Sequence, residues 1–329
     1  MTGDPDRGLS DLGEFGLIAR ITERLGVDPH VLLGPGDDAA LVAAPDGRVV
    51  VTIDQMIEHR HFRRDWSPAY DVGRRAAARG LADVAAMGGR ATAIVVALAA
   101  PADLPVAWTD ALADGLRDEA ALVGASVVGG DVARADQITV VVTALGDLAG
   151  QPPVTRAGAR PGDVVVLAGR IGYAAGGLAL LTDGRTDAPL ADAHRRPQVE
   201  YDAATRLAEA GATAMIDVSD GLVADLGHIA DASHVRIELA SDDLPLPAAL
   251  VEAGLALGVD PLTWVASGGD DHAFAATMPG PNALRAMALL ADLPAPVPFA
   301  QIGRVVEGSG VVFVDDPPAG AGGHDHFRQ

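Results

Sequence analysis

Hydrophobic and polar residues follow two different periods along the first half of the chain, which predicts interleaved helices and strands. Apolar residues recur at helical intervals over residues 69–87, and residues 91–100 form a continuous apolar run typical of a buried strand. An amphipathic helix is predicted from Pro105 to about residue 123. Two further strands are predicted at 126–131 and 138–146.

Residues 40–54 predict a β-hairpin, because two β-rich runs flank a Pro-Asp-Gly turn. Asp38 lies eight residues before Asp46 and Asp54 lies eight residues after it, so symmetric pairing would place these two carboxylates opposite each other. Opposed like charges are unfavourable unless a cation lies between them, which indicates a metal site. The alternative is that Asp38 follows a Gly-Pro-Gly turn and points into water.

The pattern is interrupted at residues 149–163, which are rich in proline and glycine and lack periodicity. This segment predicts a boundary between a domain of residues 1–148 and a domain of residues 149–329. In the second half, predicted strands again alternate with predicted helices. Its predicted strands are 163–169, 212–217 and 310–316, and its predicted helices lie near 174–181, at 199–210 and after the Ser-Asp-Gly-Leu of 219–222.

Composition then narrows the classes of function. The 329 residues are 49% hydrophobic and carry a net charge of −21, so neither nucleic acid nor an anionic membrane is an expected partner. All 24 basic residues are arginine, which excludes a lysine-containing phosphate loop, and zero cysteines exclude thiolate chemistry. No secretory signal or apolar run of 18 residues is present, so we expect a soluble protein of the cytoplasm.

Acidic residues recur beside glycines where predicted strands end. Asp131 ends a Val-Val-Gly-Gly-Asp run, Asp217 and Asp220 bracket Ser219, and the Ser-Gly-Gly-Asp-Asp of 267–271 repeats the pattern. Each has a plain alternative as a turn or a helix cap. Together they indicate phosphate bound through Mg²⁺, a cation that carboxylates and substrate phosphates share.

Asp83 differs because it lies within the predicted helix 69–87, among apolar residues. A carboxylate in that setting requires a partner. The alternative to a metal is an ion pair with Arg79, one helical turn earlier.

The ordered motifs closely resemble the thiamine-monophosphate kinase family of the aminoimidazole-ribotide synthetase superfamily. They run from about residue 12 to residue 327: LGEFGLI, GPGDDAA, VTIDQMIEHRHF, ARGLADVAAMGG, VVGGD, TRAGARPGD, IDVSDGL, DLGHIA, SGGDD and GGHDHF. The resemblance implies ATP-dependent phosphorylation of thiamine monophosphate to thiamine diphosphate. It also implies a two-domain α/β (α+β) fold like that of aminoimidazole-ribotide synthetase, and a homodimer paired through the N-terminal sheets. The first domain would bind ATP and Mg²⁺, and the second would complete the nucleotide and substrate site.

The resemblance also implies roles for particular residues. Several Mg²⁺ ions, with a monovalent cation as a possible addition, would be bound by Asp38, Thr52, Ile53, Asp54, Asp83, Asp131, Asp217 and Asp220. Nucleotide contacts would come from Gly130, Asp131, Arg156 and Ser219, and substrate contacts from His61, Asp270 and His324. Asp54, Asp131 and Arg156 would serve catalysis.

Three positions depart from the family pattern. The usual Ser-Thr pair is Thr52-Ile53, so Ile53 offers only a backbone carbonyl as a ligand. The usual Gly-Glu-Asp-Tyr is Gly269-Asp270-Asp271-His272, and the usual C-terminal aromatic residue is His324. The last two departures concern recognition of the thiamine moiety.

Two alternatives remain open at this point. One is another ATP-dependent enzyme of the superfamily, similar to aminoimidazole-ribotide synthetase, and the other is a non-catalytic acidic protein that binds metal or nucleotide. Relatives that depend on cysteine, such as selenophosphate synthetase, are disfavoured because cysteine and lysine are absent. For His61 and His324 the alternative to substrate contact is an exposed or capping histidine.

Overall fold

A computed structural model describes residues 9–26, 28–33 and 40–318. Asp38 and His324 therefore lie outside the described residues. The chain divides into two compact units, the first containing Met1–Val84 with Gly89–Gln151 and the second containing Ala85–Gly88 with Pro152–Gln329.

Among its described residues, the first unit has a four-stranded sheet, three helices and a small two-stranded ribbon. In chain order its elements are α1 (Leu9–Thr22), β1 (Val31–Leu33), β2 (Leu41–Val42), β3 (Val50–Ile57), α2 (Ala69–Ala86), β4 (Arg90–Ala100), α3 (Val106–Leu122), β5 (Ser126–Arg134) and β6 (Thr139–Asp147). The sheet order is β3-β6-β4-β5, with β4 and β5 parallel and the other pairs antiparallel. The predicted helices 69–87 and 105–123 and the strand 91–100 are confirmed.

The hairpin prediction is wrong. β2 pairs with β1, while β3 pairs with β6, where Asp54 lies opposite Val142. The turn itself forms, since Asp46 accepts a hydrogen bond from the backbone N–H of Arg48 at 2.9 Å. β3 pairs along all eight of its residues with β6, whereas β2 has only two residues to offer. The longer ladder satisfies the hydrogen bonds of more backbone N–H and C=O groups. Without the hairpin, the symmetric pairing that would place Asp38 opposite Asp54 no longer applies.

The strand predicted at 126–131 also continues further than expected, because β5 runs through both glycines to Arg134. Gly130 is required by close approach of the neighbouring strand. A Cβ atom built at this position would lie 2.1 Å from the carbonyl oxygen of Val96 on β4. Glycine here therefore serves the parallel β4–β5 contact rather than a turn.

The second unit is a six-stranded sheet with seven α-helices among its described residues. Its elements are β7 (Asp163–Ala168), α4 (Tyr173–Thr182), α5 (Ala191–Arg195), α6 (Tyr201–Ala210), β8 (Ala214–Val218), α7 (Leu222–Ser233), β9 (Arg236–Leu239), a 3₁₀ turn (Ser241–Asp243), α8 (Ala248–Leu257), α9 (Pro261–Ser267), β10 (Ala273–Pro279), α10 (Gly280–Ala291), β11 (Phe299–Val306) and β12 (Gly310–Phe313). The sheet order is β12-β9-β11-β7-β10-β8. Mixed helices and sheets in both units confirm the α/β fold class.

The core of the second unit includes residues of strands β7 and β8 and of helix α7. Leu167 on β7, Ile216 on β8 and Leu226 on α7 are each at most 2% exposed and belong to one buried cluster. Burial of such side chains contributes about 1.5–3 kcal/mol each to folding. β8 and the start of α7, which carry Asp217 and Asp220, are therefore fixed by the core.

No single helix among residues 9–26, 28–33 and 40–318 is long and apolar enough to cross a membrane. One pair, Ala248–Leu257 with Pro261–Ser267, reaches the required length only when taken together, and its two helices are bent by 118°.

Candidate active site

Strand β3 and helix α2 bring four polar residues together in the first unit. The Thr52 hydroxyl donates a hydrogen bond to Asp83 Oδ2 at 2.6 Å, and Arg79 Nε lies 3.0 Å from Asp54 Oδ1. Thr52 and Asp54 are two residues apart on β3, so they share one face of the strand, and Arg79 and Asp83 are one turn apart on α2. Two carboxylates and a hydroxyl thus converge with one guanidinium.

Arg79, the alternative partner expected for Asp83, also contacts Asp54. The side chains of Arg79 and Asp54 are only 12% and 24% exposed, so the pair is weakly screened by solvent. Asp54 therefore remains next to a positive charge even without a metal ion. Neighbouring carboxylates repel one another unless a cation lies close to them, and the Arg79 guanidinium supplies one such charge at Asp54.

Ile53 lies between Thr52 and Asp54 and projects to the opposite face of β3, where it is 67% exposed. Its side chain therefore faces away from the Thr52–Asp83 contact. Val51, two residues earlier, is also exposed, at 64%.

Asp131 and Gly130 lie on β5, at the far edge of the same sheet from β3. Three strand spacings separate the two edges, or roughly 14 Å between strand axes. Magnesium–oxygen distances are about 2 Å, so Asp54 and Asp131 of one chain are too far apart to bind the same ion. Among the residues that the structure describes, no three His, Asp or Glu side chains are grouped to hold one metal ion.

His61 follows β3 and closes back onto it. Its Nδ1 accepts a hydrogen bond from the backbone N–H of Ile57 at 3.0 Å. In the neutral ring the proton is therefore on Nε2. Substrate contact through Nε2 remains a prediction.

In the second unit, Asp217 is a buried candidate residue. It lies on β8, is 3% exposed, and its Oδ2 lies 3.0 Å from Nδ1 of His272, which is 1% exposed. Ser219 and Asp220 follow in the turn before α7 and are half-buried.

The loop before β10 is tied to this turn by its backbone. The N–H of Asp270 donates to the carbonyl of Ser219 at 2.8 Å, and a Cβ atom at Gly269 would lie 2.2 Å from that same carbonyl oxygen. Glycine at 269 is thus required for the contact. The loop holds Asp270 next to the Ser219–Asp220 turn, and Asp270 adopts a left-handed φ of 65°.

Asp225, which the sequence analysis missed, organises the same turn. Its Oδ2 accepts hydrogen bonds from the backbone N–H groups of Ser219, Asp220 and Gly221 at 3.0, 3.0 and 3.1 Å. Burial, opposed by these bonds and reinforced by the charges of Asp217 and Asp220, raises the pKa of Asp225 to about 7. The Asp225 carboxylate therefore satisfies the N–H groups of the turn that leads into α7.

Asp271, which the sequence places in an acidic run, caps α4. Its two carboxylate oxygens accept hydrogen bonds from the N–H groups of Gly172 at 2.6 Å and Ala174 at 2.7 Å. Burial raises its pKa to about 7. Asp270 and Asp271 therefore differ in role, since Asp271 serves the fold while Asp270 is half-buried beside the turn.

Arg156 lies in the segment that runs along β8. Its carbonyl oxygen accepts a hydrogen bond from the Ser233 hydroxyl at 2.7 Å, and the carbonyl of Thr155 accepts one from the N–H of Met215 at 3.3 Å. The backbone is thereby anchored to α7 and β8, while the Arg156 residue is exposed. Its guanidinium is accessible to a phosphate.

A shallow cavity of about 220 Å³ lies beside the start of α4. Arg170, Tyr173, Arg196 and Asp271 are among the residues that line it, and the Arg170 guanidinium lies 5.7 Å from the centre of the Tyr173 ring. None of the predicted site residues that the structure describes lines this cavity.

Comparison with known protein families defines the class. The family model for the N-terminal domain of AIR synthase related proteins matches residues 36–148, and the model for the C-terminal domain of the same class matches residues 160–316. Together they cover most of the chain, which therefore belongs to the AIR synthase related proteins.

Similar curated proteins give a narrower assignment. The thiamine-monophosphate kinase of Mycobacterium tuberculosis is 48% identical over 93% of this chain and 89% of its own length. That of Corynebacterium glutamicum is 41% identical over 82% of each. The chain belongs to the thiamine-monophosphate kinase family.

Solved structures agree with this assignment. The thiamine-monophosphate kinase of Stenotrophomonas maltophilia has a TM-score of 0.77 at 36% identity and covers 92% of this chain and 95% of its own. The structure described as AaThiL complexed with AMPPCP and TMP has a TM-score of 0.76 at 30% identity, covering 98% and 99%. Hydrogenase maturation protein HypE of E. coli, at 18% identity, shows the shared fold alone.

Proposed function

We propose that this protein transfers the γ-phosphoryl group of ATP to thiamine monophosphate, giving thiamine diphosphate and ADP. The observation that carries the proposal is the convergence of Thr52, Asp54 and Asp83 on one side of β3 in a chain of this family. The solved relative that contains AMPPCP and TMP supports the same pair of substrates.

The donor set fits Mg²⁺. The residues Thr52, Asp54 and Asp83 offer only oxygen atoms, as do Asp131, Asp217 and Asp220, and hard divalent cations prefer oxygen. We assign these six residues, together with Asp38 and the backbone carbonyl of Ile53, to more than one ion, because Asp54 and Asp131 are too far apart to share one. When bound, Mg²⁺ would neutralise phosphate charge and align the two reactants.

The chain's own residues would bind and orient the substrates. A monophosphate loses its second proton with a pKa of about 6, so at pH 7 the acceptor is already nucleophilic and no strong general base is required. Arg156 would add positive charge at the phosphates. Gly130 would contact the nucleotide through its backbone at β5, Ser219 would offer a hydroxyl in the turn before α7, and Asp131 would complete the nucleotide contacts.

Substrate recognition is assigned to His61, Asp270 and His324. His61 would donate from Nε2, since its Nδ1 already accepts from Ile57. Asp270 carries a negative charge that suits the cationic thiazolium ring of thiamine.

We also propose that the protein is a homodimer of the cytoplasm. Exposed apolar side chains on the sheet face of the first unit, including Val51, Ile53 and Val95, support pairing through this sheet. The absence of cysteine fits a reducing compartment.

The test compares acceptors. Purified protein is incubated with ATP and Mg²⁺ plus thiamine monophosphate, thiamine or formylglycinamidine ribotide, and ADP formation is measured. We expect ADP with thiamine monophosphate only. ADP with formylglycinamidine ribotide alone would assign the protein to the aminoimidazole-ribotide synthetase activity, and no ADP with any acceptor would indicate a binding protein. Asp131→Asn should remove most of the turnover, and the exposed Asp136→Asn is the matched control.

A further inference from the structure

His272 and Asp217 form a buried polar pair that no role discussed above explains. Both side chains are almost inaccessible, at 1% and 3% exposure, and the ring Nδ1 lies 3.0 Å from Asp217 Oδ2. A carboxylate cannot donate when ionised, so the ring must donate from Nδ1. The contact therefore requires Nδ1 to carry a proton.

The backbone holds this pair in a fixed register. Asp217 on β8 lies opposite Phe274 on β10, and the N–H of His272 donates to the carbonyl of Val218 at 3.0 Å. His272 also has a left-handed φ of 55°, a conformation that non-glycine residues rarely adopt and that surrounding contacts must maintain. The chain thus keeps a strained residue in order to bring an imidazole against this carboxylate.

We propose that His272 is a positioning residue for Asp217: by donating from Nδ1 to Oδ2 it fixes the rotation of the carboxylate and presents Oδ1 to a divalent cation. The inference rests on the proposed function, in which Asp217 binds metal. Removing a residue that hydrogen-bonds to a metal ligand commonly lowers the metal affinity 10- to 100-fold. In this role His272 acts through its contact with Asp217.

The test measures Mn²⁺ binding by electron paramagnetic resonance, in the absence of nucleotide and acceptor. Asp217→Asn first identifies the binding site to which Asp217 contributes. His272→Ala should weaken that same site by about 10- to 100-fold, and the double variant should lose no more than Asp217→Asn alone.

Two conservative variants separate positioning from size and polarity. His272→Asn can place its amide NH₂ where Nδ1 lies and should bind Mn²⁺ within about threefold of the wild type. His272→Gln extends past that position and should behave as His272→Ala does. These two variants keep a polar side chain, so they decide the question if His272→Ala does not fold.

The matched control is His234→Ala. His234 has the same left-handed backbone, with a φ of 54°, but is exposed at the end of α7. It should share any effect of the backbone change on melting temperature and leave Mn²⁺ affinity unchanged.

Three results would overturn the inference. Unchanged Mn²⁺ affinity in His272→Ala with a lower melting temperature would make His272 merely structural. Unchanged Mn²⁺ binding in Asp217→Asn would remove the ligand on which the inference depends. A ¹⁵N spectrum of the wild type showing Nδ1 of His272 without a proton would contradict the hydrogen bond. Failure to phosphorylate thiamine monophosphate, with the Mn²⁺ results as expected, would refute only the proposed function.

Discussion

Replacing Asp225 with asparagine should remove a pH dependence from the stability of the metal-free protein. The folded-state pKa of Asp225 is about 7, against 3.8 for the ordinary side chain. Between these values the folded chain holds a proton that the unfolded chain has lost, so the free energy of unfolding falls as pH rises. The stabilisation is complete near pH 3.8 and is lost by about pH 7.

The magnitude follows from one proton. Each pH unit in this interval changes the free energy of unfolding by about 1.4 kcal/mol, so the change from pH 5 to pH 6.5 is about 2 kcal/mol. An asparagine oxygen can accept the three N–H bonds that Oδ2 now accepts, but it binds no proton. The stability of Asp225→Asn relative to wild type should therefore increase by about 2 kcal/mol over this range.

The assay is urea unfolding in EDTA, followed by circular dichroism at pH 5 and 6.5. Asp225→Ala leaves three backbone N–H groups without their acceptor and should be destabilised by about 2–5 kcal/mol at both pH values. Asp231→Asn, on the exposed side of the same helix, is the control and should keep the wild-type pH dependence. An Asp225→Asn variant whose stability follows pH as the wild type does, or an Asp225→Ala variant as stable as Asp225→Asn, would refute the reasoning.

Three further predictions address the sheet, the α4 cap and the site. Gly130→Ala should lower stability by at least about 2 kcal/mol in thermal unfolding, because its Cβ would overlap a β4 carbonyl; an unchanged melting temperature would contradict this. Asp271→Ala should cost about 2–4 kcal/mol and speed hydrogen exchange at Gly172, whose N–H loses its acceptor; unchanged exchange would contradict it. Asp54→Asn should lower kcat about 100-fold at saturating Mg²⁺, and more than His61→Ala does; equal losses would count against the site.

Elements with strong local periodicity were predictable from the sequence. The helices α2 and α3 and the strand β4 were predicted within a few residues, because one face of each is continuously apolar and a proline precedes α3. In the second unit, β7, α4 and β8 were predicted for the same reason.

The failures concern pairing between distant segments. A local turn at Asp46 suggested a hairpin, but β3 pairs with β6, about 90 residues later in the chain, because that strand matches it along its full length. Strand partners of this kind depend on the whole sheet and are not visible in a local pattern.

The candidate site was only partly accessible to sequence reasoning. The ordered motifs identified the acids, but their spacing could not show that Asp131 lies three strands from Asp54. Asp225 could have been found, since it lies on the apolar face of α7 beside Leu222 and Leu226, where a charge needs a partner. Asp271 gave no such signal, because the N–H groups that it accepts from lie about 100 residues away.

The most direct test follows the transferred phosphate. The protein is incubated with γ-³²P-labelled ATP, Mg²⁺ and thiamine monophosphate, and the products are separated by chromatography. We predict labelled thiamine diphosphate in an amount equal to the ADP formed, and no label in inorganic phosphate. Label recovered as inorganic phosphate, with no labelled thiamine diphosphate, would contradict direct transfer between the two substrates.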